Sequence, residues 1–319
     1  MIGEETPLPL AAVFSVEGDI LSHAEKSLFS ASQPFGFILF GRNCKTPDQL
    51  KKLTESLRSC VGWNCPIMID QEGGRVARMK SPEWPDFLCA RHYGQKLECG
   101  EDCPDLDQDM THLAEMLLAN GINVNCAPVC DVLTKKTHDI IGDRAYSSNP
   151  EIVSSAALRT AKSFLDAGVT PIIKHLPGHG RANVDSHLTL PIVDASLDEL
   201  RKTDFVPFSS FAEQKGVWGM VAHIIFSQID PNLPATLSKT VINDIIRQEI
   251  GFQGLLFSDD LDMKALENYG SIAQRANLSL QAGCDLALYC WAKLEIMEQM
   301  AADLPPLSAK GWARWHGTL

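Results

Sequence analysis

Five short apolar runs of this chain end in, or are followed by, side chains that can carry charge or transfer a proton. These side chains are Asp70, Asp143 in the stretch beyond the fourth run, Lys174, His223 and Asp259. Each one alone is commonly a helix cap or a solvated loop residue. Five at successive strand ends indicate a shared site, because the carboxyl ends of parallel strands meet at one end of a barrel or sheet.

The densest of these groups is Lys174-His175-Leu-Pro-Gly-His-Gly, which is followed by Asp185 and His187. Residues two apart share a face in extended backbone. A carboxylate at Asp185 can therefore hold one imidazole nitrogen of His187 and leave the other free for proton transfer. A structural loop histidine is the alternative for this pair taken alone.

The stretch from Asp70 to Met79 contains a carboxylate, two glycines and the arginines Arg75 and Arg78. An aspartate and an arginine beside a sugar ring can bracket its hydroxyl groups with charge-assisted hydrogen bonds. For Arg75 the alternative is a structural ion pair that closes the loop.

Two adjacent carboxylates, Asp259 and Asp260, follow the buried run at 254–258. Because successive strand residues point to opposite faces, we expect one to face the site and the other to cap the following turn. Asp262 is interpreted as an acid at a helix start.

The elements that must position these groups repeat a strand-then-helix scheme. Residues 151–166 and 271–283 have apolar side chains at helical spacing. Short apolar runs without strict alternation are typical of strands buried on both faces. They lie at 11–16, 36–40, 66–69, 122–127, 170–174, 216–222, 254–258 and 285–289. Eight such units with no linker between them predict a single (β/α)8 barrel over residues 1–319, with a doubly wound open sheet as the alternative.

Composition excludes several classes of protein. The chain has 319 residues, 45% hydrophobic and 21% charged, which is ordinary globular usage. A net charge of −12 without a basic run argues against nucleic-acid binding. The amino terminus has no basic segment before its short, proline-broken apolar run, so we predict no signal peptide, no membrane association and a cytoplasmic location. We expect a monomer.

Metal and covalent amine chemistry are weaker interpretations of the same residues. The ten cysteines include no CxxC pair, and Cys99/Cys103 and Cys126/Cys130 lack the usual zinc spacing, so we expect reduced thiols and no metal. Nucleotide-binding motifs are absent, and we predict no cofactor. Lys174 could form a Schiff base, but a hydroxyl donor fits its setting better. Trp312 and Trp315 are expected to pack on the body, with a substrate platform as the alternative.

Together these motifs resemble the bacterial β-N-acetylglucosaminidases of glycoside hydrolase family 3. The resemblance rests on GFILFGRN (36–43), IDQEGGRVARM (69–79), IGDRAY (141–146), KHLPGHG with DSH (174–187) and FSDDLDMKAL (257–266). The chain departs from the pattern at Arg181 and Ala182, where Asp-Thr is common.

The resemblance implies a (β/α)8 barrel that removes terminal β-linked N-acetylglucosamine from muropeptide fragments during cell-wall recycling. It implies that Asp259 is the nucleophile and that His187 is the general acid/base, oriented by Asp185. It assigns sugar binding to Asp70, Arg78, Arg144, Lys174 and His175. A proton donor on a loop of the barrel then replaces the one that multi-domain relatives take from a second domain.

Rival functions remain open from the sequence alone. A family member that prefers glucose, or one that uses phosphate as acceptor, is an alternative within the same family. A metal-dependent barrel hydrolase and a non-catalytic sugar-binding barrel are more distant alternatives, and the second predicts loss of Asp259 or of the Asp185–His187 pair, which are present. The expected partner is a small carbohydrate.

Overall fold

Ten strands are present in the computed structural model, which describes residues 8–182, 184–186 and 189–317. They are β1 (Leu10–Ser15), β2 (Pro34–Leu39), β3 (Ile67–Ile69), β4 (Val124–Asn125), β5 (Thr170–Leu176), β6 (Ile192–Val193), β7 (Trp218–Val221), β8 (Ile225–Phe226), β9 (Leu256–Ser258) and β10 (Ala287–Leu288). Eight of them form one parallel sheet in the order β10-β1-β2-β3-β4-β5-β7-β9. Each predicted apolar run overlaps one of these eight strands.

The sheet curves until its two edges meet. The backbone N–H of Ser258 donates to the carbonyl of Leu286 at 3.1 Å, and that of Leu286 donates to Leu256 at 3.1 Å. These bonds bring the start of β10 against β9 and nearly close the barrel. The predicted (β/α)8 fold is confirmed, and the open doubly wound alternative is wrong.

Helices surround the barrel. They are α1 (His23–Ser32), α2 (Pro47–Val61), α3 (Ala90–Glu98), α4 (Pro104–Ala119), α5 (Pro150–Ala167), α6 (Leu197–Lys202), α7 (Phe205–Ser209), α8 (Ile272–Ala282), α9 (Leu294–Asp303) and α10 (Ala309–Trp315), with a π-type helix at Thr240–Glu249. The two helices predicted at 151–166 and 271–283 are α5 and α8. The side chain of Asn149 caps the start of α5, and Gly168 ends it at φ +95°.

Both faces of the barrel strands are buried, for different reasons. Val13, Ile38 and Phe257 point into the barrel and pack together there. Their sequence neighbours, such as Phe14 and Leu256, pack under the helices. This double burial explains why the strand sequences lack alternation.

The amino-terminal end of the barrel is covered by α10. The ring of Trp315 lies 5.1 Å from that of Phe35 and 5.3 Å from that of Trp63, in edge-on contacts. Trp312 packs beside Trp315 at 4.9 Å. The tail therefore packs on the body, as its spacing predicts, and lies at the end of the barrel opposite to the strand ends where a site is expected.

The other end carries an element that the sequence did not indicate. Strands β6 and β8 pair in parallel, and both follow the carboxyl ends of barrel strands. The backbone N–H of Ile225 also donates to Pro191 at 3.0 Å. The pair links the long segment after β5 to the segment after β7. Among the described residues, no helix combines the length and apolar character needed to cross a membrane, and all ten cysteines are free thiols.

Candidate active site

A cavity of about 340 Å³ opens at the carboxyl ends of the barrel strands. This volume is in the range of small-molecule sites. Six of the residues predicted for the site line it, namely Asp70, Arg78, Arg144, Lys174, His175 and Asp259. Tertiary structure thus brings together groups that are up to 189 residues apart in the chain, counted from Asp70 to Asp259.

Charged side chains form the deep part of the cavity. Lys174 Nζ lies 2.9 Å from Asp70 Oδ1 and 2.6 Å from Glu72 Oε1. Arg78 pairs with Asp70 at 3.0 Å, and Arg144 binds both Glu72 oxygens at 2.8 and 2.9 Å. We call these five residues the charged floor.

The charged floor holds its groups ionised although they are buried. Burial alone would raise the pKa of Glu72, but Arg144 and Lys174 outweigh it and hold that pKa at about 2. In the same way Lys174 and Arg78 hold the pKa of Asp70 well below its usual range. Burial alone would lower the pKa of Lys174, but Asp70 and Glu72 outweigh it and hold that pKa above its usual value. A lysine held protonated is a hydrogen-bond donor and a poor nucleophile, which argues against the Schiff-base alternative.

Glu72 is a member of the charged floor that the sequence analysis assigned no role. Its side chain is 6% exposed and it neutralises both Lys174 and Arg144. The signal that could have found it is its position two residues after Asp70, since residues two apart in extended backbone share a face.

His175 is held by a second residue that sequence reasoning missed. Its Nδ1 lies 2.7 Å from Oδ2 of the fully buried Asp131. The other oxygen of Asp131 accepts the backbone N–H groups of His175 and His179 at 3.3 and 2.6 Å. Burial would raise the pKa of Asp131, but His175 and His179 hold it at about 2. The carboxylate fixes the His175 ring that lines the cavity.

His179 lies behind this pair. Its ring is 5.4 Å from that of His175, and its Nε2 is 3.2 Å from Ser186 Oγ. Burial, with the neighbouring His175, lowers the pKa of His179 to about 4, so the ring is neutral at pH 7. Its contact with Ser186 joins the Gly-His-Gly turn to the Asp-Ser-His motif.

The two carboxylates after β9 differ in their surroundings. Oδ1 of Asp259 accepts the backbone N–H of Asp260 at 2.8 Å. The Asp260 carboxylate accepts the backbone N–H groups of Asp262 and Cys290 at 3.3 and 3.2 Å and Nε1–H of Trp291 at 2.9 Å. Burial raises the pKa of Asp260 to about 7. Asp260 caps the turn as expected, but the expectation that only one carboxylate faces the site is wrong, because both line the cavity.

The proposed proton-transfer pair is described only in part. His187 lies outside the described residues, and Asp185 is not among the residues that line the cavity. At the base of the same segment, Arg181 Nε lies 2.6 Å from Oδ2 of the buried Asp204. The backbone carbonyl of Ala182 accepts the N–H of His138 at 3.1 Å. Both residues at which the chain departs from the family pattern therefore make defined contacts with other segments.

Three predicted polar groups, Arg75, Asp143 and His223, make structural contacts. Arg75 pairs with Asp143 at 2.6 Å on the surface, which confirms the ion-pair alternative for Arg75. His223 lies 2.8 Å from Thr236 Oγ1 and 2.9 Å from the carbonyl of Asp260. In the part of the chain that the structure describes, no group of three or more His, Cys, Asp or Glu side chains is arranged to hold a metal ion.

Comparison with known proteins identifies the family to which this fold belongs. Residues 11–307 match the model of the glycosyl hydrolase family 3 N terminal domain. A beta-hexosaminidase from Alkalilimnicola ehrlichii is 37% identical over 313 residues, covering 96% of this chain and 88% of that protein. A beta-hexosaminidase from Idiomarina loihiensis is 36% identical over 297 residues, with 92% and 87% covered.

Solved structures of similar proteins have the same fold. NagZ from Neisseria gonorrhoeae in complex with N-trifluoroacetyl-D-glucosamine superposes with a TM-score of 0.90 at 31% identity, covering 98% of this chain and 90% of that one. A family 3 beta-N-acetylglucosaminidase from Paenibacillus superposes with a TM-score of 0.84 at 28% identity, covering 97% of this chain and 60% of that one. The chain therefore belongs to glycosyl hydrolase family 3 and is a glycoside hydrolase of the β-N-acetylhexosaminidase group.

Proposed function

We propose that this enzyme is a retaining exo-β-N-acetylglucosaminidase that works by double displacement. The observation that carries the proposal is the position of Asp259, a carboxylate at the end of β9 that shares one cavity with the charged floor. The beta-hexosaminidase relatives and the neighbour solved with N-trifluoroacetyl-D-glucosamine support an N-acylated glucosamine as the sugar.

The charged floor and His175 would bind the terminal sugar. The carboxylate of Asp70 accepts hydrogen bonds from sugar hydroxyls, and the cations Arg78, Arg144 and Lys174 donate to sugar oxygens. Because these groups already hold one another in fixed positions, little ordering is needed when the sugar binds. The burial of Lys174, which is 2% exposed, limits its reach to a ring seated deep in the cavity.

In the first step an oxygen of Asp259 attacks the anomeric carbon and forms an ester. The bond to the leaving oxygen breaks, and its electron pair takes the proton of His187. In the second step water attacks the same carbon, gives a proton to His187 and releases Asp259. Two inversions retain the β configuration. His187 is assigned as the proton donor on the basis of the Asp185–His187 motif. An imidazole suits this role because its unperturbed pKa of about 6.5 is close to working pH.

The surroundings of the two adjacent carboxylates favour Asp259 over Asp260 as the nucleophile. Asp260 receives three N–H groups, and burial raises its pKa to about 7, so it is partly protonated at neutral pH. A protonated and engaged carboxyl group is a poor nucleophile. Asp260 instead acts as a support that fixes the turn after the nucleophile.

We also propose that the natural substrates are peptidoglycan-derived muropeptides of the N-acetylglucosamine–anhydro-N-acetylmuramic acid type, cleaved in the cytoplasm by a monomer. The likeness of the five motifs to bacterial cell-wall-recycling members of the family supports this assignment. We propose further that residues 1–319 act as one catalytic unit, with the proton donor on the segment after β5.

Asp259→Asn tests the nucleophile, and Asp260→Asn is the matched control. We expect Asp259→Asn to reduce turnover of a nitrophenyl β-N-acetylglucosaminide to background and to abolish trapping of a fluorosugar ester, detected by intact-protein mass spectrometry. Asp260→Asn should still form the trapped ester. Full activity of Asp259→Asn, or trapping that depends on Asp260 alone, would overturn the assignment.

His187→Ala tests the proton donor. Substrates with poor leaving groups need protonation and should slow far more than nitrophenyl glycosides, which leave without it. Equal losses on both substrates would argue against this role.

A further inference from the structure

Trp291 is an exposed aromatic side chain at the rim of the active-site cavity. It follows β10, it lines the cavity and it is 59% exposed, whereas the other five tryptophans of the chain are buried or half-buried. An indole left open at the edge of a site is an apolar surface without a partner in the described structure. The proposed reaction assigns no role to Trp291.

The indole is fixed in place by its own hydrogen bond. Its Nε1–H donates to Asp260 Oδ2 at 2.9 Å, and Asp260 is the neighbour of Asp259. The preceding residue is held as well, because the guanidinium of Arg42 donates to the carbonyl of Cys290 at 2.7 Å. With its N–H engaged, Trp291 can offer a ligand only its ring faces and apolar edge. Its fixed position places those faces close to the nucleophile.

The depth of the cavity decides which part of a substrate can meet Trp291. The charged floor lies at the buried end, where Lys174 is 2% and Glu72 is 6% exposed. A terminal sugar bound there has its anomeric carbon at Asp259, so its leaving group extends from Asp259 toward the open rim. Trp291 lies on that side, joined to the nucleophile through Asp260. The apolar face of a pyranose ring, lined by C–H groups, is complementary to an indole ring.

We infer that Trp291 forms the binding surface for the leaving-group sugar, with one pyranose ring packed on the indole. This inference rests on the proposed function, since it needs the terminal sugar in the charged floor. Energy from such a remote contact can be used to position the reacting bond, so its loss lowers kcat/KM for substrates that reach it. Covering about 55 Å² of indole corresponds to roughly a tenfold effect.

The test compares two substrates that share the terminal N-acetylglucosamine and have alcohol leaving groups. One is a β-1,4-linked disaccharide of N-acetylglucosamine, whose second ring can reach Trp291, and the other is the methyl glycoside, whose leaving group cannot. We expect Trp291→Ala to lower the ratio of kcat/KM for the disaccharide over the methyl glycoside about tenfold. Trp291→Phe, which keeps a ring but loses the N–H, should keep the ratio within about threefold of the wild type.

The same measurements separate a binding surface from a structural role. If Trp291 acted only by holding Asp260, Trp291→Ala would lower both kcat/KM values equally and leave their ratio unchanged, and that result would overturn the inference. Leu118→Ala is the matched control, because it removes an exposed apolar side chain on α4, away from the cavity. If Trp291→Ala and Leu118→Ala gave the same ratio of kcat/KM values, the inference would also be overturned. If the wild type hydrolysed neither of the two substrates, the proposed function would be refuted instead.

Discussion

Replacing Glu72 by glutamine removes one negative charge from the charged floor and keeps the volume of the side chain. Glu72 is 6% exposed and contacts Lys174 at 2.6 Å and Arg144 at 2.8 and 2.9 Å. After the change, Asp70 is the one carboxylate left among the five residues of the floor. The amide nitrogen of the new side chain would face a cation at a position where a Glu72 oxygen now accepts.

The size of the effect follows from the pKa of Glu72. A carboxyl group whose pKa lies at about 2 instead of its ordinary 4.5 stabilises the folded state by about 3 kcal/mol at pH 7. Removing one partner of a buried ion pair costs about 3–5 kcal/mol in other proteins, which agrees. We therefore expect Glu72→Gln to lower the free energy of unfolding by about 3 kcal/mol at pH 7.

The lowered pKa of Glu72 also predicts how the stabilisation changes with pH. Because the pKa of Glu72 is lowered on folding, its stabilisation is present above about pH 4.5 and is lost as the pH falls toward 2. Urea titrations followed by circular dichroism, on wild type and Glu72→Gln at several pH values, measure the difference. It should be largest at pH 7 and shrink below pH 4.5.

Glu98→Gln is the matched control. Glu98 also binds an arginine with both oxygens, Arg91 at 2.6 and 2.7 Å, but its side chain is 30% exposed. An exposed pair is worth less than about 1 kcal/mol. The reasoning is refuted if Glu72→Gln costs no more than Glu98→Gln, or if its cost does not change between pH 7 and pH 3.

Three further results are expected. Asp131→Asn should lower the free energy of unfolding by about 2–3 kcal/mol and reduce kcat, since the carboxylate fixes the His175 ring at the cavity. Urea titration and steady-state kinetics measure the two effects. An unchanged kcat would contradict the positioning of His175. Brief iodoacetamide treatment of the folded enzyme should label the exposed Cys99 without loss of activity; peptide mass spectrometry identifies the site, and equally fast labelling of the buried cysteines would contradict the fold. Arg314→Ala should destabilise the protein by about 2 kcal/mol, because it leaves the buried Asp285 with one ion-pair partner fewer. KM should not change, because this ion pair lies at the end of the barrel opposite to the site. Thermal unfolding and kinetics measure the two effects, and a raised KM would contradict that location.

The sequence alone predicted the architecture and supplied the residues to which the proposed reaction is assigned. Strands buried on both faces must be apolar throughout, so eight runs separated by helical stretches predicted a barrel, with an open sheet as the alternative. The carboxyl ends of such strands converge, and for that reason Asp70, Lys174 and Asp259 could be assigned to one site before any distance was known.

Tertiary structure decided how those groups are paired. Glu72 pairs with Lys174 and Arg144, and Asp131 accepts hydrogen bonds from His175 and His179. All four partners are distant in the chain, and nothing in the local sequence states which of them a carboxylate meets. Strand alternation suggested that one of the two adjacent carboxylates points away from the site, but Asp260 lines the cavity together with Asp259. Its carboxylate is held there by N–H donors from the turn and from Trp291. The pairing of β6 with β8 also joins segments more than 30 residues apart. Alternation and spacing report the local backbone, whereas ion pairs and rim contacts depend on which strand ends become neighbours when the barrel closes.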